Sequence, residues 1–528
     1  MDAPGLGGLN WAVIIIYLLA TLAIGVWFTR KAGQSTEEFF RASGRIPSWA
    51  AGFSIYATTL SAITFMSTPE QSFLNDWSYA AGNIAIFLLV PILVWYYIPF
   101  FRKLDVTTAY EYLEARFGPS IRVLGSVLFV LFHIGRVAIV VYLPTLAISS
   151  VTDLSPVLIA GAVGVLSVIY TFLGGMEGVI WSDVAQAIIL LVGAAVILIF
   201  GIAAIDGGFA TVASDAAADD KLISAENWTI GGAAAAIPII FLGSVFNNLH
   251  QYTASQDVVQ RYQTTDAPGG AARSLMVNGF LALLTIPLFY GIGTVLYSYY
   301  RHADALPADF NTSAIVPYFA VNVLPAGISG LLIAAIFAAA QSTISSSLNS
   351  ISACVTVDIR DRFFPPRDGQ ARSGVGFSRF VIIAVGAASV AVALYLVATD
   401  QAETWDLFLS ITGLFGVPLA GVFALGIFTK RANTFGVLCG LLFGAGLAWY
   451  VQNVVGLNPF AISIVAFVAS VVLGYVFSVL TKSFTLRTDR DVLPLTIYGK
   501  REAYVGMTTA GRCQGVEATW GSPASSRA

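Results

Sequence analysis

Gln341-Ser342-Thr343-Ile344-Ser345-Ser346-Ser347-Leu348-Asn349-Ser350 carries six small hydroxyls in ten positions. It directly continues an apolar run, Leu331-Leu332-Ile333-Ala334-Ala335-Ile336-Phe337-Ala338-Ala339-Ala340, which reads as membrane-spanning. Hydroxyls that lipid does not solvate must find partners inside the protein or bind something there. Ser342, Ser345 and Ser346 stand at i, i+3 and i+4, so a helix puts all three on one face. Neutral oxygens converging at membrane depth suit a hard monovalent cation that has shed its water, as oxygen ligands suit other hard cations. The competing reading is that small residues simply let two helices approach closely. The density of hydroxyls and the features below favour the cation.

The rest of the chain is an all-α integral membrane protein by composition. Hydrophobic residues make up 57% of 528 positions and charged residues 11%, and the apolar runs have bilayer-crossing lengths. Thirteen runs are legible, at about 10–29, 48–74, 79–100, 120–147, 155–173, 178–204, 231–253, 273–298, 316–356, 379–398, 405–428, 434–452 and 459–481. With the N-terminus outside, the inner loops and the C-terminal tail hold 24 of the 27 Lys and Arg. The outer loops hold only Lys221 and Arg301. That bias predicts a cytoplasmic C-terminus. Nothing basic precedes the first run and Arg30-Lys31 follows it, which argues against a cleavable leader.

Other classes of function find little support. Cys354, Cys439 and Cys513 lack metal or disulfide spacing. His133, His250 and His302 are too scattered to suggest a cluster, and no basic stripe points to nucleic acid. The acidic, Ala/Gly-rich loop near 205–230 reads as a surface excursion, and the polar tail 483–528 as poorly ordered.

Two spans look interrupted. The second holds Ala57-Thr58-Thr59-Leu60-Ser61-Ala62-Ile63-Thr64, four hydroxyls well inside it, and Pro69-Glu70 further on. The seventh runs from apolar Ile239-Ile240-Phe241-Leu242-Gly243 into Asn247-Asn248-Leu249-His250-Gln251-Tyr252-Thr253. Paired interrupted helices five spans apart are the signature of an inverted-repeat transporter with a midplane site. Arg136 lies more than ten residues from either end of its span, too deep to snorkel. It must face a carboxylate, with Glu70, Asp183 and Glu177 as the candidates, or a wet cavity. A guanidinium fork there matches a substrate carboxylate. Asp183 is placed to offset a cation's charge, or else caps the inner interface.

Three longer motifs resemble the sodium:solute symporter family: Thr107-Thr108-Ala109-Tyr110-Glu111-Tyr112-Leu113-Glu114-Ala115-Arg116-Phe117-Gly118, the Gly174–Asp183 stretch, and Ala254-Ser255-Gln256-Asp257-Val258-Val259-Gln260-Arg261-Tyr262. Ala57–Ser61 and His133–Ile139 are most similar to its bacterial sialic acid branch. The resemblance runs to about residue 480. It implies a LeuT-type fold, a 5+5 inverted repeat with about 13 transmembrane helices. The domain 1–482 would then hold an extra first helix at 10–29, a core at about 48–428 and two further helices at about 434–481.

Carried over by position, the resemblance implies a first sodium site from the carbonyls of Ala57, Leu60 and Ala339 with the hydroxyls of Ser342 and Thr343, where the branch usually has Ser in place of Thr343. A second sodium site would use Asp183, Ser342, Ser345 and Ser346. The substrate pocket would draw on Thr59, Ser61, Thr64, Tyr79, Asn83 and Arg136. Tyr79 and Asn83 stand where the branch has Phe and Gln. The expectation is a symporter in a bacterial inner membrane, moving one or two Na+ with an anionic sugar, sialic acid first, by alternating access. The alternatives are another carboxylate or sugar substrate, or a transporter-like sensor, which a tail of some 45 polar residues fits poorly. No nucleophile–base pair or phosphate loop suggests an enzyme.

Overall fold

The computed structural model describes residues 6–32, 36–104, 106–149, 151–152, 154–228, 236–265, 269–303, 306–307, 310–364, 374–399, 404–481 and 492–498. Among these residues the chain is helical, with one isolated bridge between Ile46 and Thr265. Ten of its helices are long and apolar enough to cross a bilayer. The elements that position the site are α1 (Gly8–Ala32), α2 (Ser48–Thr59), α3 (Ala62–Leu74), α4 (Ala81–Ile92), α5 (Ala109–Phe117), α6 (Pro119–Ser149) and α7 (Pro156–Ala203). They continue with α8 (Phe209–Ala218), α9 (Ile237–Thr253), α10 (Gln256–Tyr262), α11 (Gly270–Thr285), α12 (Ile315–Val323), α13 (Ile328–Ala353) and α14 (Val375–Ala398).

Helix α7 spans 48 residues, about 72 Å at 1.5 Å per residue and more than twice a bilayer core. It is two helices joined at Gly175, whose φ of 54° and ψ of −158° belong to a region open essentially to glycine alone. The over-long run at 316–356 likewise divides, into α12 and α13, with Gly327 at φ 89° between them.

Burial sorts centre from rim. In the most apolar part of Ile328–Phe363 the buried share is 89%, against 22% in Gly8–Phe28. Helix α13 packs on α7, α1, α6 and α14, on both α2 and α3, and on α10. Its hydroxyl-rich stretch is therefore surrounded by protein, which is what makes those hydroxyls tolerable in a membrane.

Helices α2 and α3 are separated by Leu60 and Ser61, both extended (ψ 104° and 174°). This interruption falls inside the stretch that the hydroxyls marked. The second differs from expectation. The polar stretch 247–253 is helical to Thr253, and the chain breaks at Ala254-Ser255 before α10. A polar run inside a helix proved compatible with its ladder because its side chains face a cavity and neighbouring helices.

Two peripheral segments are tied down. Residues 206–228 run largely over the surface, as their composition suggests, but are anchored. Lys221 Nζ donates to the carbonyls of Phe73 and Leu74 at 2.9 and 3.2 Å, and Asp76 accepts from Asn227 Nδ2 and the Ser224 amide at 2.8 and 2.9 Å, so this segment caps the end of α3. In the tail, 492–498 docks: Tyr112 donates to the Leu495 carbonyl at 3.1 Å and the Ile497 amide to Ile427 at 3.1 Å. The remainder of the tail, 483–491 and 499–528, lies outside the described residues.

Candidate functional site

A helix that ends in mid-membrane leaves carbonyls without i+4 donors, and these must be satisfied by other groups. At the end of α2 the donors come from two different helices. Ser342 Oγ donates to the Ala57 carbonyl at 2.9 Å, and Arg136 Nη2 donates to the Thr58 carbonyl at 2.8 Å. Ser342 Oγ also lies 3.2 Å from the Ala339 carbonyl, and Thr343 Oγ1 lies 3.3 Å from the same oxygen. The structure thus gathers Ala57, Ala339, Ser342 and Thr343 around one point, with Leu60 in the adjoining break. Their oxygens are neutral, the type of donor that a monovalent cation accepts.

One turn further along α13, Ser345 Oγ donates to the Ser342 carbonyl at 3.1 Å, and Ser346 Oγ stands 3.5 Å from Asp183 Oδ2. Asp183 is fully buried and is no interfacial cap. Its Oδ2 accepts from Arg261 Nη2 at 2.7 Å and from Ser54 Oγ at 2.5 Å. Arg261 also donates to Ser346 Oγ at 2.6 Å and to Ser54 Oγ at 2.7 Å. The second oxygen, Asp183 Oδ1, is buried with no hydrogen-bond partner in the protein. A carboxylate so held has one oxygen fully bonded and one without a partner.

Arg136, 2% exposed, does have a resident carboxylate, but none of the three expected. It is Asp257 on α10, whose Oδ2 accepts from Arg136 Nη1 at 3.1 Å. Gln251 Oε1 lies 3.3 Å from the same nitrogen. The sequence reading stopped the seventh span at 253 and so left Asp257 in a loop. The i, i+4 spacing of Asp257 and Arg261 immediately after an apolar run was the available signal for both. Arg136 Nε is buried with no hydrogen-bond partner, and the residue lines the central cavity.

The histidines also come closer than expected. Phe132 packs edge-on to both His133 and His250, with ring centroids 5.0 and 5.4 Å away. The nitrogens of His133 meet the hydroxyls of Ser347 and Ser255 at 2.9 and 3.2 Å.

The cavity itself measures about 1120 Å³ including its mouth and starts at the break. Thr59, Thr64, Tyr79, Asn83 and Arg136 all line it; Ser61 lies beside it, buried at the start of α3. Sequence reasoning missed further polar walls. Ser67, Thr68 and Gln71 continue the face of the expected Thr64 along α3 away from the break, and Asn247, Asn248 and Gln251 face them from α9. The stretch mistaken for a second interruption is therefore the far wall. Asn83 Nδ2 donates to the Ala282 carbonyl at 3.2 Å. The cavity pairs hydroxyl and amide groups with aromatic faces from Tyr56, Tyr79, Tyr252 and Phe460, a lining suited to a polyhydroxylated ring.

Known proteins are similar to this chain along most of its length. The sodium:solute symporter family profile matches residues 39–444. The sodium/sialic acid symporter NanT of Aliivibrio fischeri is 42% identical over 94% of this chain and 98% of its own. The sodium/sialic acid symporter SiaT of Proteus mirabilis is 43% identical over 86% and 94%. A solved structure of a Na+-coupled sialic acid symporter, substrate-bound and outward-open with a novel Na+ site, superposes with a TM-score of 0.85 at 41% identity, covering 90% of this chain and 98% of that one. The nucleobase-cation-symport transporter Mhp1 matches at a TM-score of 0.57 and 14% identity, a likeness of fold alone. A helix end capped by Ser342 and Arg136 beside a polar cavity thus sits in a frame whose relatives are cation-coupled transporters, and the chain belongs to the sodium:solute symporter family.

Proposed function

We propose that this protein is a sodium-coupled importer of sialic acid. The observation that carries the reading is the end of α2. There one helix terminus presents adjacent carbonyls, Ala57 to the hydroxyl expected to hold sodium and Thr58 to the arginine that lines the cavity. Sodium and an anionic sugar acid would bind within one turn of each other. The first sodium uses Ala57, Leu60, Ala339, Ser342 and Thr343. The second uses the unpartnered Oδ1 of Asp183 with Ser342, Ser345 and Ser346. Arg136 takes the substrate carboxylate, while Thr59, Ser61, Thr64, Tyr79 and Asn83 contact the sugar.

The topology goes with this reading: a LeuT-type 5+5 repeat within about 48–428, thirteen crossings in the domain 1–482, N-terminus outside and tail in the cytoplasm of a bacterial inner membrane. The division of α7 at Gly175 and the two broken pairs support that count. With this orientation the cavity follows α3 outward while the α10 side is closed by ion pairs, so the arrangement faces out. Sodium need only favour this state over the inward one to drive uptake.

Asn83 favours a second cargo within the same class. Its amide is engaged by the Ala282 carbonyl, and a sugar acid lacking the substituent that a longer side chain would reach fits equally well. Uptake of radiolabelled N-acetylneuraminate into proteoliposomes tests the choice. Accumulation above the external concentration under a sodium gradient, absent with potassium, is expected. Its absence from folded protein assigns the cavity to another carboxylate.

A further inference from the structure

Four buried charges connect the two ends of this site. Asp183 Oδ2 and Arg261 Nη2 are 2.7 Å apart. Arg261 Nη1 donates to the Asp257 carbonyl one turn back on α10, and the two side chains are within electrostatic reach. Asp257 Oδ2 and Arg136 Nη1 are 3.1 Å apart. All four residues are 0–2% exposed. The signs alternate, minus, plus, minus, plus, so the row is neutral by itself. The neighbouring His133 adds no charge in its neutral form, its nitrogens being met by serine hydroxyls. Each end carries one buried atom without a partner, Asp183 Oδ1 and Arg136 Nε.

We infer that the row Asp183–Arg261–Asp257–Arg136 couples sodium to substrate electrostatically, with α10 as the element that carries it. The inference rests on the proposed reading that sodium meets Asp183 and the substrate carboxylate meets Arg136. A cation at one end alone leaves the row with an uncompensated positive charge in a low-dielectric interior, where such charge is costly. An anion at the opposite end removes it. Each ligand therefore raises the affinity for the other, reciprocally as linkage demands. Asp257 and Arg261 touch neither ligand; they are positioning residues, and α10 holds both at i, i+4.

Isosteric charge removal gives effects of opposite sign. Asp257→Asn leaves the row net positive, so carboxylate binding no longer needs sodium. Arg261→Gln leaves it net negative, so sodium binds without substrate and substrate depends on sodium more steeply. The experiment is calorimetric binding of N-acetylneuraminate to purified, detergent-solubilised full-length protein in sodium and in potassium, with melting curves to establish folding. Couplings of this kind typically change affinity by about 5- to 150-fold. The potassium-to-sodium ratio of Kd is expected to fall to within about twofold in Asp257→Asn, to rise above the parent value in Arg261→Gln, and to return toward the parent value in the neutral double variant.

Single variants that shift the ratio in the same direction, or leave it unchanged, overturn the inference. Should the singles fail to fold, the double carries the test: sodium-dependent binding supports the row, and sodium-independent binding overturns it. Arg136→Gln in the same assay separates the two readings. If it leaves binding intact, the carboxylate assignment fails; if it abolishes binding while the α10 variants show no opposed shifts, only the row fails.

Discussion

Tyr17 on α1 donates its hydroxyl to Gln341 Oε1 at 2.6 Å, a bond between residues 324 positions apart. Tyr170 on α7 donates to the Gln341 carbonyl, also at 2.6 Å. Helix α1 therefore grips the residue immediately before Ser342, and with it the start of the hydroxyl-rich turn.

Removing that grip should be felt at the ion. Tyr17→Phe keeps the ring and leaves Gln341 Oε1 buried without its donor, at a cost of about 1–3 kcal/mol. The expected outcome is a lower melting temperature and a several-fold rise in the sodium concentration for half-maximal uptake. Unchanged sodium dependence in proteoliposomes would confine the bond to stability.

Thr343 and Ser342 should separate in their effects. Thr343→Ser keeps the oxygen that lies 3.3 Å from the Ala339 carbonyl and is expected to transport with nearly the same sodium dependence. Ser342→Ala removes the one hydroxyl shared by both proposed sodium sites. It also strips the Ala57 carbonyl of its donor, and sodium-driven uptake should be lost while the protein still folds. The comparison is made on uptake against sodium concentration.

Arg136→Lys tests the shape of the charge. A lysine keeps the sign but not the fork that reaches Thr58, Asp257 and the cavity together. Losing a charge-assisted hydrogen bond of about 1.5–3 kcal/mol predicts roughly 10- to 150-fold weaker substrate binding. Titration of substrate at saturating sodium measures it, and binding within twofold of the parent would count against carboxylate capture.

In the helical turns Cys354–Arg360 that follow α13, Asp358 accepts from Thr108, Arg122 and Ser126, and Arg122 also reaches Glu114. Asp358→Ala removes one of the two carboxylates that hold a largely buried guanidinium, leaving Glu114 as its counter-charge, with an expected loss of about 1.5–3 kcal/mol. Denaturation monitored by tryptophan fluorescence in detergent should show it; Thr108→Val, which removes one neutral bond, should cost far less.

Much of this site was legible because membranes make polar residues conspicuous. Ser342, Ser345 and Ser346 stood out against alanine and isoleucine, and Ala57–Ser61 marked the real break because hydroxyls inside an apolar run need a reason. Asp257 and Arg261 did not stand out. They follow the apolar run, where charges are ordinary, and only the fold shows that α10 turns back into the protein and buries them. Asn247 and Gln251 misled for a related reason: period and composition do not reveal which neighbour a helical face meets. The Gly175 turn was legible as a gap between two runs, whereas the docking of 492–498 depends on a backbone pairing with Ile427 that no local pattern announces.

In the proposed orientation, the cap that Lys221 places on Phe73 and Leu74 gives the outside of the cell leverage over the site. Helix α3 walls the cavity with Thr64, Ser67, Thr68 and Gln71, and its final carbonyls are gripped by a loop whose neighbouring Leu222 and Ile223 are about half exposed. An antibody fragment clamped on that loop would load the helix as a brake loads a wheel rim. Transport would slow without the sugar pocket ever being entered.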